Sequence, residues 1–234
     1  MTPNEKRISV IKTLLPAQSA TLLDVGCGRV APDYPYLDHA EQITCVDWNP
    51  RIIAPTPDKI DVRAGDFLEM DFAPESFDTI LCADVFEHVA LEQEAGFVAG
   101  CIRYLKPGGT MVVSVPHAGT YAWLDPFEVK PLVNRIQHRL GMHPALHNGF
   151  CDIRKGHKHY STADCVQAFA PLEPVEMRQW GYFYDPLYSW SDALRRKLGL
   201  SLGHARIARA CAAEYDRAYG DRAFNLAIAF RKPG

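Results

Sequence analysis

Apolar positions along the chain fall into two kinds of run. Thr21–Val25, Gln42–Trp48, Ile60–Phe67, Ser76–Cys82 and Thr110–Val115 are short apolar stretches, each closed by a glycine, a proline or an acid. Such runs are too short for helices and read as parallel strands, with 21–25, 42–48 and 110–115 buried. Around them the spacing is helical. Ile8, Val10, Ile11, Leu14 and Leu15 predict a helix over 4–15 that Pro16 ends. Asp84–Val89 is expected to turn into a helix reaching about Tyr104, and Ser161 or Thr162 to cap one running to about Ala170. Two gaps are proline-rich: Pro32 with Pro35, and residues 50–59, where the usual crossover helix is reduced or missing. Lys106–Gly109 reads as a turn, Pro174–Tyr184 as a sixth strand, residues 191–218 as one or two helices, and Phe224–Arg231 as the last strand. Residues 117–160 break this rhythm with His, Pro, Gly and aromatics, and hold one candidate helix around Pro131–Leu140. The pattern predicts an α/β, doubly wound, mostly parallel seven-stranded sheet with an insertion after strand five. We expect one domain over 1–234, with 117–160 as a cap where specificity is carried.

Composition narrows the classes. A length of 234 residues is ample for one core, and the net charge of −3 speaks against broad nucleic-acid binding. Seven cysteines are scattered with no C-x-x-C pair, which fits reduced thiols in a cytoplasmic protein. The polar start has no signal-peptide core, and no run approaches the roughly 20 apolar residues of a membrane span.

Candidate chemistry begins where the first strand ends, at Asp24-Val25-Gly26-Cys27-Gly28. Two glycines let the backbone turn sharply and approach a ligand, at the carboxyl end of strands where α/β sheets bind ligands. Asp47 closes the second strand about 20 residues further on, where an acid can accept both hydroxyls of a ribose. A third acid, Asp66, follows the third strand.

Together these segments resemble the class I S-adenosylmethionine-dependent methyltransferases. LLDVGCG resembles their first motif, CVDW with Asp47 the ribose-binding acid, and AGDF with Asp66 the acid at the adenine amino group. FDTILCADVFEHV and LKPGGTMVVSVP resemble the fourth- and fifth-strand signatures. The resemblance is good over 21–116, loose over the last strands and poor over the insertion. The glutamate–histidine pair after strand four, with His157-Lys158-His159-Tyr160-Ser161, resembles small-molecule or glycan-tailoring members. It implies a Rossmann-like fold, S-adenosylmethionine as donor, and methylation at O or N of a small-molecule or sugar-containing acceptor, with a lipid-linked one a further option.

The physical reading runs beside it. Asp24 can pair with the donor's ammonium, and Gly26 and Gly28 admit its methionyl tail. Asp47 takes the ribose, Asp66 the adenine amino group, and the Phe67 backbone a ring nitrogen. Trp48 and Phe67 can sandwich the base, and Ala83 and Asp84 form the floor beneath the sulfur. The competing readings are turn caps for Asp47 and Asp66, and plain core for Trp48. A dinucleotide-dependent oxidoreductase would use the same glycines and Asp47. It has no use for Asp66 and wants a clean helix after the turn, against which Pro32 and Pro35 speak. A protein that binds the donor and does no chemistry is the other alternative.

Methyl transfer needs a general base only when the acceptor must lose a proton. Candidates are His88, His117, His157 and His159, each with a structural alternative. His138, His143, His147, His157 and His159 also crowd one stretch, yet without three or four clearly converging ligands, and no metal is expected. Finally, Trp180, Tyr182, Phe183, Tyr184, Leu187, Tyr188 and Trp190 precede a basic run with Arg195, Arg196, Lys197, His204, Arg206 and Arg209 among leucines 194, 198, 200 and 202. Core of the last crossover, a membrane surface and a homodimer interface are the readings for that stretch.

Overall fold

The computed structural model describes residues 1–48, 51–52, 56–126, 158–201 and 203–234. The helix predicted around Pro131–Leu140 lies outside them. Strand β1 (Ser19–Val25) pairs in parallel with β3 (Ala40–Asp47) on one side and β6 (Phe77–Ala83) on the other. Beyond β3 lies β5 (Ile60–Ala64), and beyond β6 lies β7 (Leu105–Pro116), both again parallel. Strands β8 (Glu173–Trp180) and β9 (Asn225–Arg231) complete a seven-stranded sheet of order β5-β3-β1-β6-β7-β9-β8. The Gly108 amide donates to the Lys232 carbonyl and the His117 amide to that of Phe224, so β9 runs antiparallel to β7. A separate parallel pair joins β2 (Arg29–Val30) to β4 (Arg51–Ile52).

The unbroken apolar runs explain this arrangement. Leu22, Leu23, Ile43, Ile80, Leu81 and Val112 are fully buried, as expected for central strands covered on both faces. Helix α1 (Pro3–Leu14) buries Ile11 and Leu14, and α2 (Glu94–Tyr104) buries Phe97, Val98, Cys101 and Tyr104. Helix α3 (Thr162–Ala168) precedes β8, while α4 (Tyr184–Leu198) and α5 (His204–Glu214) form a helical hairpin.

Three expectations are corrected. The helix after strand four does not start at Asp84. That residue sits at φ +54, and two 3-10 turns, Phe86–His88 and Leu91–Gln93, intervene before α2 begins at Glu94. Lys106–Gly109 is not a turn outside the sheet. Its backbone pairs with the β9 side through Gly108 to Lys232 and Lys232 to Gly109, which draws it into β7. The sixth strand expected over Pro174–Tyr184 ends at Trp180; Tyr184 already opens α4, and Glu214 accepts the amides of Tyr182, Phe183 and Tyr184 at 3.0, 3.2 and 2.9 Å at the helix start.

The backbone divides into two compact units. One comprises Val10–Val115, Ala163–Met177 and Ala227–Gly234; the other comprises Met1–Ser9, the described part of Pro116–Thr162, and Arg178–Leu226. In the second, Tyr121 meets Tyr182 and Phe183 edge-on, Tyr182 stacks on Tyr219 at 4.6 Å, and the Trp190 indole donates to the Leu124 carbonyl. Asp185 is buried beneath Gly181, accepts from Asn225 at 2.9 Å, and is pushed up to about 6 by that burial.

Candidate donor site

The first unit gathers the glycine turn and the three strand-ending acids. No helix follows the turn. The chain passes from Gly28 into the short strand β2, and the amides of the turn find their acceptors on β3. Gly26 stands at φ +79 and Gly28 at φ +62, and the Gly26 and Cys27 amides donate to the Val46 carbonyl at 2.7 and 3.2 Å. A Cβ built on Gly26 would lie 2.1 Å from Cγ2 of Val85, whereas one on Gly28 would meet nothing within 4 Å. The first glycine is thus demanded by space and by φ, the second by φ alone.

Val85 is held there by its neighbour. Asp84 donates its amide to the Ser114 carbonyl and accepts from the Ser114 hydroxyl, both at 2.9 Å. That double anchor holds a non-glycine residue in the left-handed region, a strain typical of ligand sites. Ala83 ends β6 immediately before it.

Asp47 is buried, and its Oδ2 accepts the Gly28 amide at 2.7 Å, while its own carbonyl accepts from Gly65 at 3.0 Å. One residue, through its carboxylate and its carbonyl, therefore ties the ends of β1, β3 and β5 together. Asp66 caps a 3-10 turn, taking the Leu68 amide on Oδ1 at 3.0 Å. The cap reading thus applies to it, with one of two carboxylate oxygens engaged. Trp48 is 53% exposed, so it is not core. Phe67 departs from the expected sandwich: its ring is buried against Phe97 at 5.0 Å and Tyr104 at 6.0 Å, which leaves only its backbone for a ligand.

Asp24 has a partner that could not be assigned from the order of residues alone. Its Oδ2 accepts from the Tyr34 hydroxyl, itself buried. Burial pushes the Asp24 carboxyl up to about 7, the Tyr34 bond opposes this, and the Asp47 charge adds to it. Burial and the Asp24 charge raise Tyr34 well above its ordinary range, so it stays a donor. The Cys27 thiol is also raised, first by its hydrogen bond with Cys45 and then by burial. Tyr34 and Cys45 are residues that sequence reasoning missed; only the aromatic pair Tyr34 and Tyr36 in a proline-rich loop hinted at a buried role.

The four histidines are divided. His88, in the first unit, ends a 3-10 turn and does not start a helix; its Nε2 lies 3.7 Å from Oε1 of the buried Glu87. His117 and His159 belong to the second unit, and His157 lies outside the described residues. His117 is buried with Nδ1 3.0 Å from the Ala223 carbonyl. A carbonyl only accepts, so Nδ1 carries the proton and, in the neutral ring, Nε2 the lone pair. His159 places Nε2 3.2 Å from Oδ2 of the buried Asp125. Of the five crowded histidines only His159 is described, and among the described residues no three His, Cys, Asp or Glu are placed to hold a metal ion.

An open α/β sheet with a glycine turn and an acid at each of three strand ends defines a nucleotide-type ligand site at the switch between β1 and β6. The comparisons narrow the class. Residues 23–113 match the methyltransferase domain family, which supports a class I S-adenosylmethionine-dependent methyltransferase. A probable S-adenosylmethionine-dependent methyltransferase of Mycolicibacterium smegmatis is 29% identical over 119 residues, covering 47% of this chain and 46% of that protein. A ubiquinone biosynthesis O-methyltransferase of Paracidovorax citrulli is 31% identical over 134 residues, covering 52% and 54%. The chain thus spans about half the length of the curated relatives it matches. Among solved structures, the N-methyltransferase NodS of Bradyrhizobium japonicum with S-adenosyl-L-homocysteine aligns over 99% of this chain and 88% of its own, at 17% identity and a TM-score of 0.58. The [4+2]-cyclase SpnF aligns over 98% and 80%, at 17% identity and a TM-score of 0.59. At such identity the likeness is one of fold.

The donor set at this turn fits S-adenosylmethionine: Asp24 and Asp47 supply carboxyl groups at the ends of β1 and β3, and Trp48, just past β3, is exposed.

Proposed function

We propose that the whole protein is a cytoplasmic enzyme that methylates an oxygen or nitrogen of a small-molecule or sugar-containing acceptor. The observation that carries this reading is the meeting of Asp24, Gly26, Gly28 and Asp47 at the ends of β1 and β3. When bound, the donor supplies an electrophilic methyl on a sulfonium. The chain binds and orients. Asp47 holds the ribose hydroxyls, Asp66 the adenine amino group beside the Phe67 amide, and Trp48 one face of the base. Asp24, which burial leaves only partly ionised at neutral pH when alone, ionises as it takes the donor's ammonium. Ala83 and Asp84 set the floor. The scattered thiols support a reducing compartment.

For a hydroxyl acceptor, as the names of the ubiquinone relatives suggest, a base must take a proton. We assign that role to His117 Nε2, because the Ala223 carbonyl fixes the proton on the other nitrogen. His159 with Asp125 is the second candidate, and His88 and His157 follow. Residues 117–160 remain our proposed acceptor cap.

Labelled S-adenosylmethionine incubated with a panel of phenols, amines and sugars tests the reading. Label should transfer to one acceptor class. Asp47→Ala should weaken S-adenosylhomocysteine binding by about 2–3 kcal/mol, from loss of a charged acceptor. Donor binding without transfer across the panel favours the catalytically silent alternative, and undiminished binding by Asp47→Ala removes that residue from the site.

A further inference from the structure

The hairpin of α4 and α5 ends in a tip that the rest of its unit does not cover. The apolar stripe of α4 runs through Leu187, Tyr188, Ser191, Leu194 and Leu198 at helical spacing. Cover stops at Ser191, which is buried and hydrogen-bonded to Nδ1 of His204 at 3.0 Å. Beyond it the stripe continues into solvent: Leu198 is 64% exposed, Leu200 44% and Leu194 39%. The leucines of the sheet are buried, whereas these three are exposed together at one end of the hairpin.

The same end is uniformly basic. From Ala193 to Ala213 there are five Lys or Arg residues and no Asp or Glu, in a chain whose net charge is −3. Asp192 pairs with Arg195 and Arg196 at 2.7 and 2.8 Å, while Lys197, Arg206 and Arg209 have no acidic partner among the described residues. Exposed leucines ringed by cations match a surface with an anionic face above an apolar layer. The alternatives match less well. A two-fold dimer through this tip sets the cations of one copy against the same cations of the other. Nucleic acid would take up the charge but leave the leucines in water, and His204, the ring at the tip, is already stacked on Tyr188 at 5.4 Å.

We propose that the α4–α5 tip docks the protein on an anionic lipid bilayer, with Leu198 and Leu200 entering the interface and Lys197 and Arg206 meeting headgroup phosphates. Donor binding is untouched, since the tip shares no residue with that site. Docking brings an acceptor dissolved in the membrane within the protein's reach.

The test is co-sedimentation of the full chain with vesicles of phosphatidylcholine containing a quarter phosphatidylglycerol, and with pure phosphatidylcholine. We expect binding to the former only, weakening as salt shortens the range of the attraction. At about 1 kcal/mol per cation near such a surface, Lys197→Gln with Arg206→Gln should lower partitioning about 30-fold. Leu198→Asp with Leu200→Asp should abolish it. All four positions lie outside the proposed donor site, so S-adenosylhomocysteine affinity in each variant verifies folding. Three results overturn the proposal: no binding at low salt; binding that survives the leucine changes, which marks mere electrostatic adsorption; or a monomer–dimer equilibrium on gel filtration that the leucine changes abolish, which marks a second copy as the occupant.

Discussion

Replacing Gly26 by alanine separates two costs that are usually inseparable. The backbone stands at φ +79, where a Cβ is disfavoured by about 1–2 kcal/mol. That same Cβ would lie 2.1 Å from Cγ2 of Val85, with Cβ and Cγ1 of Val85 both at 3.2 Å, so one side chain causes the whole collision. Valine is stiff about χ1, and its backbone is fixed by the bonds of Asp84 to Ser114, so relief requires shifting the Asp84–Val85 segment. Overpacking of this kind costs about 1–3 kcal/mol, giving a total of about 2–5 kcal/mol for Gly26→Ala. Gly28→Ala is the internal control: it carries the φ cost and meets no atom within 4 Å, so it should lose only about 1–2 kcal/mol. Val85→Ala deletes the offending Cγ2, and in the double variant the collision should vanish while the φ cost persists. Urea unfolding of the four proteins gives the coupling directly through a double-mutant cycle. Calorimetric titration with S-adenosylhomocysteine follows the same series, and Gly26→Ala should bind far more weakly than Gly28→Ala. Equal destabilisation by the two alanines, or no rescue by Val85→Ala, would refute the argument that space at this turn is set by Val85.

Asp24 makes stability depend on pH in an unusual direction. Its carboxyl, near 4 when unfolded, is raised to about 7, so between these values the native chain holds a proton that the unfolded chain has released. Stability therefore falls as pH rises from about 4 to 7, by roughly 4 kcal/mol from this group, and levels off above; Asp24→Asn should flatten that slope in urea melts at stepped pH. If Asp24 takes the donor's ammonium, titration near pH 6 in buffers of different ionisation enthalpy should reveal proton release, and none in Asp24→Asn. Glu214→Ala strands three backbone amides and should cost about 3 kcal/mol or more in thermal or urea unfolding. His117→Ala should lose turnover and keep donor affinity, and a limb of the pH–rate profile should vanish with it; retained turnover would return the role to His159, tested in the same way with Asp125→Asn beside it.

The central strands were legible because burial on both faces leaves an unbroken apolar run, and because each run stops at a residue with a backbone reason to stop. Asp47 could be placed by distance along the chain, and the structure puts it against Gly28. The start of α2 was not legible: the sequence from Asp84 to Val89 has helical spacing, but the anchoring of Asp84 to Ser114, some thirty residues away in the chain, outweighs local preference. Phe67 was misjudged for a like reason. An aromatic beside an acid looks like a ligand platform, and only the nearness of Phe97 and Tyr104 shows that its ring belongs to the core. Tyr34 escaped notice because nothing short of three dimensions links a loop tyrosine to the acid ending β1.

The position of β9 bears on how the protein is made. It is the last strand in sequence, yet it lies between β7 and β8, inside the sheet. During synthesis β1 through β7 leave the ribosome able to pair, but the outer edge of β7 has no neighbour until Asn225–Arg231 arrives. That edge is no harmless fringe, because Met111, Val112, Val113 and Val115 flank it and are wholly buried in the finished molecule. A nascent chain therefore carries a long, sticky, hydrogen-bond-hungry margin through most of its translation. The interval between the emergence of β7 and that of β9 is the time in which a holding chaperone has something to shield.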